Sequence, residues 1–352
     1  MILDPLLDLF RGKAVTIPPM DGALRPNRLL DDAKIITSCE APDNITLVAD
    51  RLFHSSGESL FTTANTKLVA SLGSAITAIA ANGTTLAIGL ESGRIAFHNS
   101  EHPPLEGFNC PTALAFDGPD DLYICNGSDS HSPSRWAADL MRKTASGSLW
   151  HVSLQTGERR CLAKGLAFPY GLIVDAKNHR VVVSESWKHR LIAIPLPGGK
   201  PTVVLPNLAG YPARLSVTGP GGYILCLFAP RNRLIEFVLL EDGYRTAMLT
   251  EIDSRYWIAP ALSASRSFLE PLQSGGVKTM GIHKPWSPSR SYGLVAVLDG
   301  NFEPVTSYHS RANGTRHGIT SAIQHQGNII ATSRGGNVIL QVTPEMELAC
   351  RI

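Results

Sequence analysis

Apolar and polar residues alternate along most of the chain, in short stretches that end at Gly, Pro, Asn or Asp. Such alternation between turn-forming residues is typical of half-buried β-strands. Longer segments with three strands joined by tight turns are ITAIAANGTTLAIGLESGRIAFHN (76–99), LIVDAKNHRVVVSESWKHRLIAIPL (172–196), ARLSVTGPGGYILCLFAPRNRLIEFVL (213–239) and ITSAIQHQGNIIATSRGGNVILQV (319–342). In the third of these segments, RLIEFVL (233–239) is predicted to be a strand.

Shorter segments at 45–63 and 112–126 open two further units, so that units begin near residues 42, 75, 111, 169, 212 and 317. Repeated units of three or four strands are the mark of a β-propeller, in which each small sheet covers the face of its neighbour. We therefore predict an all-β fold, a six-bladed β-propeller with short helical insertions. A pair of β-sandwiches is the alternative, but sandwiches do not give so regular a unit.

The predicted propeller spans residues 39–352, and residues 1–38 form a lead-in. A spare strand at 33–38 is expected to pair with the last unit and close the ring. Residues 1–10 are expected to form a short amphipathic segment on the body of the protein. Insertions at about 128–147 and 241–290 are expected to cover one end of the central channel.

The composition of the chain limits the kinds of partner that we expect for it. Of its 352 residues 43% are hydrophobic and 18% charged, which favours a large core over disorder. The net charge of +2 gives no large positive field, so nucleic acid is not an expected partner. The apolar runs are too short for a membrane span. The cysteines are scattered without CxxC spacing, which favours free thiols and a cytoplasmic location.

Three predicted units open with one motif, in which Pro and a variable residue precede an apolar strand. The copies are CPTALAFD (110–117), LAFPYGLIVD (166–175) and GYPARLSV (210–217). The first strand of each propeller blade lines the axis. The variable residues Thr112, Tyr170 and Ala213–Arg214 are therefore expected to face one end of the channel.

The residues between 144 and 198, TASGSLWHVSLQTGERRCLAKGLAFPYGLIVDAKNHRVVVSESWKHRLIAIPLPG, resemble the core of the strictosidine synthase-like family. NLAGYPARLSV (207–217), SYGLVAVLDGNFEPVTSYHS (291–310) and GALRPNRLLDDAKI (22–35) extend the resemblance over most of the chain. The family belongs to a superfamily of six-bladed propellers that also holds gluconolactonases and paraoxonases. The resemblance implies the propeller fold, but the superfamily spans several activities.

Hydrolytic members of the superfamily hold a divalent cation with Asn and acidic residues at the channel mouth, where it polarises a carbonyl group. The resemblance places Asp43, beside Asn44, at one of these ligand positions. The other positions fall at Thr112, Tyr170 and Ala213–Arg214, which offer fewer oxygen ligands and add a positive charge. We therefore expect no functional metal site and no cofactor.

The condensing enzyme of the family needs a glutamate at the start of the last blade. That position falls at Thr320, or at Ile319 if the alignment shifts by one residue. Neither side chain can act as an acid–base group. Strictosidine synthesis itself is therefore not expected.

The candidate catalytic residues are Tyr170, Arg214, Asp43 and His317, since an Arg with a Tyr hydroxyl suits a carboxylate or another planar anion. Further candidates for contacts with a substrate are Asn44, Thr112, Asn126, Asp129, His131, Glu185, Thr320 and Arg334. Of these, Glu185 and its neighbour Trp187 more simply support their blade.

Three functions agree with these residues. The favoured one is a metal-independent enzyme for a small, anionic organic molecule, through hydrolysis of a lactone, ester or amide or through chemistry at a C–N bond. The second is a non-catalytic binding protein with a degenerate site. The third is a scaffold whose outer faces bind another protein.

Overall fold

The computed structural model describes residues 16–219, 221–264, 278–279, 282–283 and 289–344. In this part of the chain, six small antiparallel sheets surround a central channel as the blades of a β-propeller. The all-β, six-bladed fold predicted from the alternation is thus confirmed. The expected amphipathic segment at 1–10 lies outside the described residues.

The first three blades follow one another without a crossover. Their strands are β2 (Pro42–Val48), β3 (Arg51–Ser56), β4 (Ser59–Thr62) and β5 (Leu68–Ser71) in blade one, β6 (Ile76–Asn82), β7 (Thr85–Leu90) and β8 (Ile95–His98) in blade two, and β9 (Pro111–Asp117), β10 (Asp121–Asn126), β11 (Gly147–Ser153) and β12 (Arg159–Leu166) in blade three.

The last three blades complete the circle. Their strands are β13 (Pro169–Asp175), β14 (Arg180–Glu185), β15 (Arg190–Pro195) and β16 (Thr202–Leu205) in blade four, β17 (Gly210–Val217), β18 (Tyr223–Pro230), β21 (Gly293–Leu298) and β22 (Pro304–Ser310) in blade five, and β23 (Ile319–His325), β24 (Asn328–Ser333) and β25 (Val338–Val342) in blade six. The short pair β19 (Lys278–Thr279) and β20 (Ile282–His283) lies in an insertion.

The ring closes in two ways. Each inner strand contacts the inner strand of the next blade, and β23 contacts β2. In addition, β1 (Lys34–Ser38) pairs antiparallel with β25 and supplies the outer strand of blade six, from Lys34 opposite Gln341 to Ser38 opposite Val338. Because this sheet joins the two ends of the described chain, blade six has no free edge at β25.

The blades pack through the apolar faces of their strands. The buried side chains include Val181, Val182 and Val183 of β14, which point alternately to the two faces of their sheet. Both faces are covered because a neighbouring blade lies on each side. This packing explains why β14 carries a continuous apolar run at Val181–Val183 rather than a strict alternation.

The insertions contain helices. In blade three, α1 (Trp136–Arg142) follows a 3-10 turn at Pro133–Arg135. In blade five, α2 (Arg233–Leu240) and α3 (Asp242–Glu251) precede a 3-10 turn at Ser254–Tyr256. Further 3-10 turns are Gly22–Leu24, Ala176–Asn178 and Ser186–Lys188.

The predicted strand at 233–239 is wrong, because these residues form α2. The Asn232 side chain accepts a hydrogen bond from the main-chain NH of Leu234 at 2.9 Å, and so caps the helix. The residues Ile235, Val238 and Leu239 are buried at helical spacing, whereas Leu234 is 42% exposed. The third strand of blade five is instead β21, and the insertion begins at residue 231 rather than 241.

Candidate functional site

The inner strands begin at one end of the channel, and their first residues surround a cavity of about 140 Å³. A second, wider cavity of about 340 Å³ opens at the other end, where the inner strands finish. Arg214 lines both cavities. The first cavity is lined by Asp43, Ala75, Ile76, Thr77, Glu91, Thr112, Pro133, Ser134, Trp136, Phe168, Tyr170, Trp187, Arg214, Phe228, Leu262 and Arg334.

A buried ion pair forms the floor of the first cavity. Nη2 of Arg214 lies 3.1 Å from Oδ2 of Asp43, and Nη1 donates to the main-chain oxygen of Asp43 at 3.1 Å. The same guanidinium donates to the main-chain oxygens of Thr77 and Thr320. Nη1 of Arg334 approaches Oδ1 of Asp43 at 3.4 Å. One carboxylate therefore faces two guanidinium groups.

The charges of the floor decide the protonation state of Asp43. Burial acts to raise the pKa of Asp43, but attraction by Arg214 and Arg334 and the hydrogen bonds from Arg214 outweigh it. The pKa of Asp43 is therefore held below its ordinary value, and the carboxylate is ionised at neutral pH. With two cations against this one anion, the floor carries an excess positive charge.

Tyr170 stands above the guanidinium of Arg214, whose carbon lies 5.0 Å from the centre of the Tyr170 ring. This approach depends on Gly171, where an added Cβ would lie 2.5 Å from the main-chain oxygen of Ala213. Any larger residue would push β13 away from β17 and separate the two side chains. Burial raises the pKa of Tyr170 to about 12, and the charge of Asp43 adds to this effect. Tyr170 is therefore a neutral phenol at physiological pH.

Aromatic rings form the walls of the cavity. Phe168 stacks on Trp187 with ring centres 4.5 Å apart, and Trp136 packs edge to face on Phe228 at 5.5 Å. Tyr170 packs edge to face on both Phe168 and Phe228, at 5.8 Å each. The rings touch one another, so the wall is continuous and its geometry is fixed by edge-to-face contacts.

The two insertions form a roof over the cavity and are joined to several blades. Asp139 of α1 is buried and accepts a hydrogen bond from Nε1 of Trp187 at 2.7 Å. The Ser134 main-chain NH and hydroxyl donate to the carboxylate of Glu91 in blade two. Nη1 of Arg245 in α3 donates to the main-chain oxygen at position 141 of α1 at 2.6 Å. These bonds hold Trp136 and Trp187 in place.

The structure brings together five of the residues selected from the sequence. Asp43, Thr112, Tyr170, Arg214 and Arg334 all line the first cavity. The Thr112 hydroxyl donates to the main-chain oxygen of Pro169 and so joins the inner strands of blades three and four. The other four make up the charged floor and the adjoining wall.

Three candidates near the blade-three insertion do not line the cavity. The Asn126 side chain holds its own turn, because Oδ1 accepts from the main-chain NH of Cys110 and Nδ2 donates to Asp129 at 2.8 Å. His131 contacts Asp139 at 3.3 Å. These residues therefore stabilise the base of the roof instead of facing a ligand.

Two further candidates are buried elsewhere. Glu185 pairs with Arg190 and Lys188 and accepts from the main-chain NH of Ala167 at 3.0 Å, which supports blade four. His317 is fully buried, with Nδ1 2.8 Å from Oγ of Ser291 and Nε2 2.8 Å from a main-chain oxygen. Both nitrogens of His317 are engaged away from the cavity, so the structure gives it no part in the floor.

The last two candidates lie beneath the floor. The Thr320 hydroxyl donates to the main-chain oxygen of Asp43 at 2.8 Å, and it is fully buried. Asn44 donates to Ser55 at 3.0 Å and lines the cavity at the opposite end of the channel. Both residues position Asp43 without reaching the first cavity.

Sequence reasoning did not select the aromatic wall as a site. Trp136, Phe168 and Phe228 come from an insertion, a turn and a second strand, so no local spacing connects them. One signal was present in part, since the insertion at about 128–147, which contains Trp136, was expected to cover one end of the channel. Trp187, expected to support its blade, also lines the cavity.

Comparisons with known proteins agree with this architecture. The family model described as Strictosidine synthase matches residues 113–194. A solved structure described as a putative gluconolactonase aligns with a TM-score of 0.52 and 8% identity, over 88% of this chain and 91% of the other. A calcium-binding protein, regucalcin, from Agrobacterium tumefaciens gives a TM-score of 0.54 and 9% identity, over 88% and 92%. No curated protein sequence matches the chain.

At these identities the structural matches define the class of fold, a six-bladed propeller of the gluconolactonase type. The family match lies within blades three and four. Together these comparisons agree with the resemblance found in the sequence: the fold is a six-bladed propeller, and residues 113–194 are similar to the Strictosidine synthase family.

The superfamily resemblance implies a divalent cation at this end of the channel, but the residues present do not fit one. Ca²⁺ takes about six to eight oxygen ligands. Here the two Asp43 carboxylate oxygens face Arg214 and Arg334, and Glu91 accepts hydrogen bonds from Ser134. Within the described ranges, no group of three or more His, Cys, Asp or Glu side chains is placed to hold a metal ion.

Two observations bear on the surroundings of the protein. No helix in the described part of the chain is long and apolar enough to cross a membrane. Cys39, Cys110, Cys125, Cys161 and Cys226 are free thiols. The cytoplasmic location expected from the cysteine pattern stays a prediction.

Proposed function

We propose that the first cavity binds a small organic anion and that the protein acts on it without a divalent cation. The observation that carries this proposal is that Arg334 is partly exposed at the cavity while it contacts Asp43. Its side chain is 38% exposed, lines the cavity and reaches Asp43 through Nη1 at 3.4 Å. A guanidinium group presents five N–H donors in a planar fork, so Arg334 can receive an anion while it keeps this contact.

Tyr170 and Arg334 provide the chemistry for such an enzyme. In hydrolysis of a lactone, ester or amide, water adds to the carbonyl carbon and the bond to the leaving group breaks. The guanidinium stabilises the negative charge that develops on the carbonyl oxygen. Tyr170 is neutral and, with a pKa of about 12, can donate a proton to a departing alkoxide or amine. The proton that water releases restores the phenol, so the reaction balances.

A panel of lactones, esters and amides, assayed in buffer treated with EDTA, tests the enzyme. We expect turnover that EDTA does not change. Tyr170→Phe should lower kcat by about 10²- to 10⁴-fold if proton transfer is lost, and Arg334→Met should lower kcat/KM. Arg255→Met removes an exposed guanidinium, paired with Asp253, and should leave turnover unchanged. Loss of activity in EDTA with recovery in Ca²⁺ would overturn the metal-independent mechanism.

A non-catalytic binding protein is the second candidate, and one observation favours it. Both carboxylates that line the cavity are engaged, Asp43 by guanidinium groups and Glu91 by Ser134. Neither is therefore in a state suited to a general base. Organic anions that raise the melting temperature by mass action, without turnover of any substrate in the panel, would favour this candidate over the enzyme.

A further inference from the structure

The walls and the floor of the first cavity together point to the kind of anion it takes. Four indole or phenyl rings, of Trp136, Phe168, Trp187 and Phe228, line the walls and pack on one another. Side chains of this kind bind a flat ring through stacked and edge-to-face contacts. The polar groups are gathered on the floor, so a ligand with one charged end and one flat apolar end matches both surfaces.

The charge of the floor selects a negative end. Asp43 is the anion of the floor, and both its carboxylate oxygens face guanidinium nitrogens. Arg214 already uses its Nη atoms on protein oxygens, whereas Arg334 lies partly exposed at the cavity wall. A ligand carboxylate can therefore bind the outer side of Arg334 through a charge-assisted hydrogen bond.

An aromatic cage can also bind an organic cation, but three features oppose that here. The face of Tyr170 is already covered by the guanidinium of Arg214, at 5.0 Å. The Glu91 carboxylate accepts the main-chain NH and the hydroxyl of Ser134, so binding an ammonium group there would compete with the roof. A positive ligand would also meet two fixed guanidinium charges.

The volume limits the size of the ring. The cavity holds about 140 Å³. An engineered apolar cavity of about 150 Å³ in another protein is large enough to bind benzene. One six-membered ring therefore fills the space between the walls, and a fused or second ring would have to displace the roof.

We propose that the ligand is a carboxylate carried by a single aromatic ring, with the ring between the aromatic walls and the carboxylate on Arg334. This inference rests on the proposed function, since it names the class of anion that the cavity takes. It is narrower, because the proposed function requires only an organic anion.

Isothermal titration of the full chain with benzoate and phenylacetate tests the inference. Cyclohexanecarboxylate keeps the charge and lacks the π-system, and we expect it to bind about two- to tenfold more weakly. Benzamide keeps the ring and lacks the charge, and we expect it to bind at least about tenfold more weakly than benzoate. Benzylamine carries the opposite charge and should not bind.

Variants of the cavity residues show where benzoate binds. Arg334→Met should weaken benzoate binding about tenfold or more, because a charge-assisted hydrogen bond is lost. Trp136→Leu should weaken benzoate more than cyclohexanecarboxylate. Arg255→Met, with its exposed ion pair, is the matched control and should bind as the wild type does.

The outcomes separate the two proposals. Equal or tighter binding of cyclohexanecarboxylate overturns the aromatic class and leaves the organic-anion site standing. A preference for benzylamine overturns both. If neither benzoate nor phenylacetate binds, the inference is wrong, while turnover in the lactone and ester panel still decides the proposed function. Benzoate binding that survives both Arg334→Met and Trp136→Leu would place it at another site and overturn the inference.

Discussion

Replacement of Arg214 by Met is the sharpest test of the ion pair that closes the channel. Methionine has no donor, so the variant loses the bonds to Asp43 and to the main-chain oxygens of Thr77 and Thr320. Asp43 is 8% exposed and would keep contacts from Asn44 at 3.2 Å and Arg334 at 3.4 Å. The carboxylate would then be buried with one partly exposed cation in place of two.

The size of the loss follows from that burial. Removal of one partner from a buried ion pair costs about 3–5 kcal/mol when the remaining charge is left without compensation, and Arg334 at 3.4 Å from Asp43 keeps the loss near the lower end of this range. We expect a decrease of this size in the free energy of unfolding at pH 7. The double variant Asp43→Asn with Arg214→Met removes the stranded charge as well. It should be more stable than Arg214→Met alone, which would give a favourable coupling energy.

The change of stability with pH distinguishes a stranded charge from a loss of packing. In the wild type the pKa of Asp43 is lowered, so its contribution to stability is full above the unfolded pKa of about 3.9 and is lost as the pH falls through the folded pKa. In the variant the attraction of Arg214 no longer opposes burial, which is the largest influence on this group, and we expect the pKa of Asp43 to rise above its unfolded value. The variant therefore regains stability as the pH falls from 7 towards 5, and the difference from the wild type narrows.

Urea unfolding of both proteins at several pH values measures this difference, with Arg255→Met as an exposed control that should not change stability. A variant as stable as the wild type at pH 7 would contradict the reasoning. So would a deficit that stays constant or widens as the pH falls, because the loss would then come from packing and not from a stranded charge.

Other predictions concern the roof and the site. Ile235→Ala should lower the free energy of unfolding by about 2–5 kcal/mol, because the side chain is fully buried in α2. Phe237→Ala, at a position that is 48% exposed, should lower it much less in the same urea assay. The reverse order would contradict the helix. Asp139→Asn should lower stability by about 1 kcal/mol, since the bond from Trp187 keeps an acceptor but loses its charge. It should also change tryptophan fluorescence, and an unchanged spectrum and melting temperature would contradict this link. Alkaline titration at the tyrosine absorbance band, taken as wild type minus Tyr170→Phe, should show a group with a pKa of about 12; ionisation near the ordinary value of about 10 would contradict its burial.

The propeller and its blade boundaries could be predicted because the strand pattern is local. In a small antiparallel sheet, alternation and turn residues specify each strand from its own residues, and the repeat then specifies the architecture. The segment 233–239 shows the limit of this reasoning. Its apolar residues fit both a strand and a helix, and the cap at Asn232 and the burial beneath the roof decided for the helix.

The site was predicted where it depends on the inner strands and missed where it depends on the roof. Asp43 and Tyr170 lie at the start of inner strands and Arg214 lies within one, and the propeller symmetry brings the inner strands to the axis. His317 lies just before an inner strand, yet its ring turns away to Ser291. Side-chain direction in a turn depends on tertiary contacts, so the repeat alone could not fix it.

By itself, the sequence determined the fold class and the position of the channel, because these follow from period and turn chemistry. That Tyr170 and Arg214 stand at positions of metal ligands is what the family resemblance implies, and it stays a prediction. The tertiary structure decided which side chains share the cavity. Trp136 and Phe228 are far apart along the chain, and they meet because the blade-three insertion folds back over the channel, where it packs on the insertion of blade five. The aromatic wall is thus a product of long-range packing, which no local pattern records.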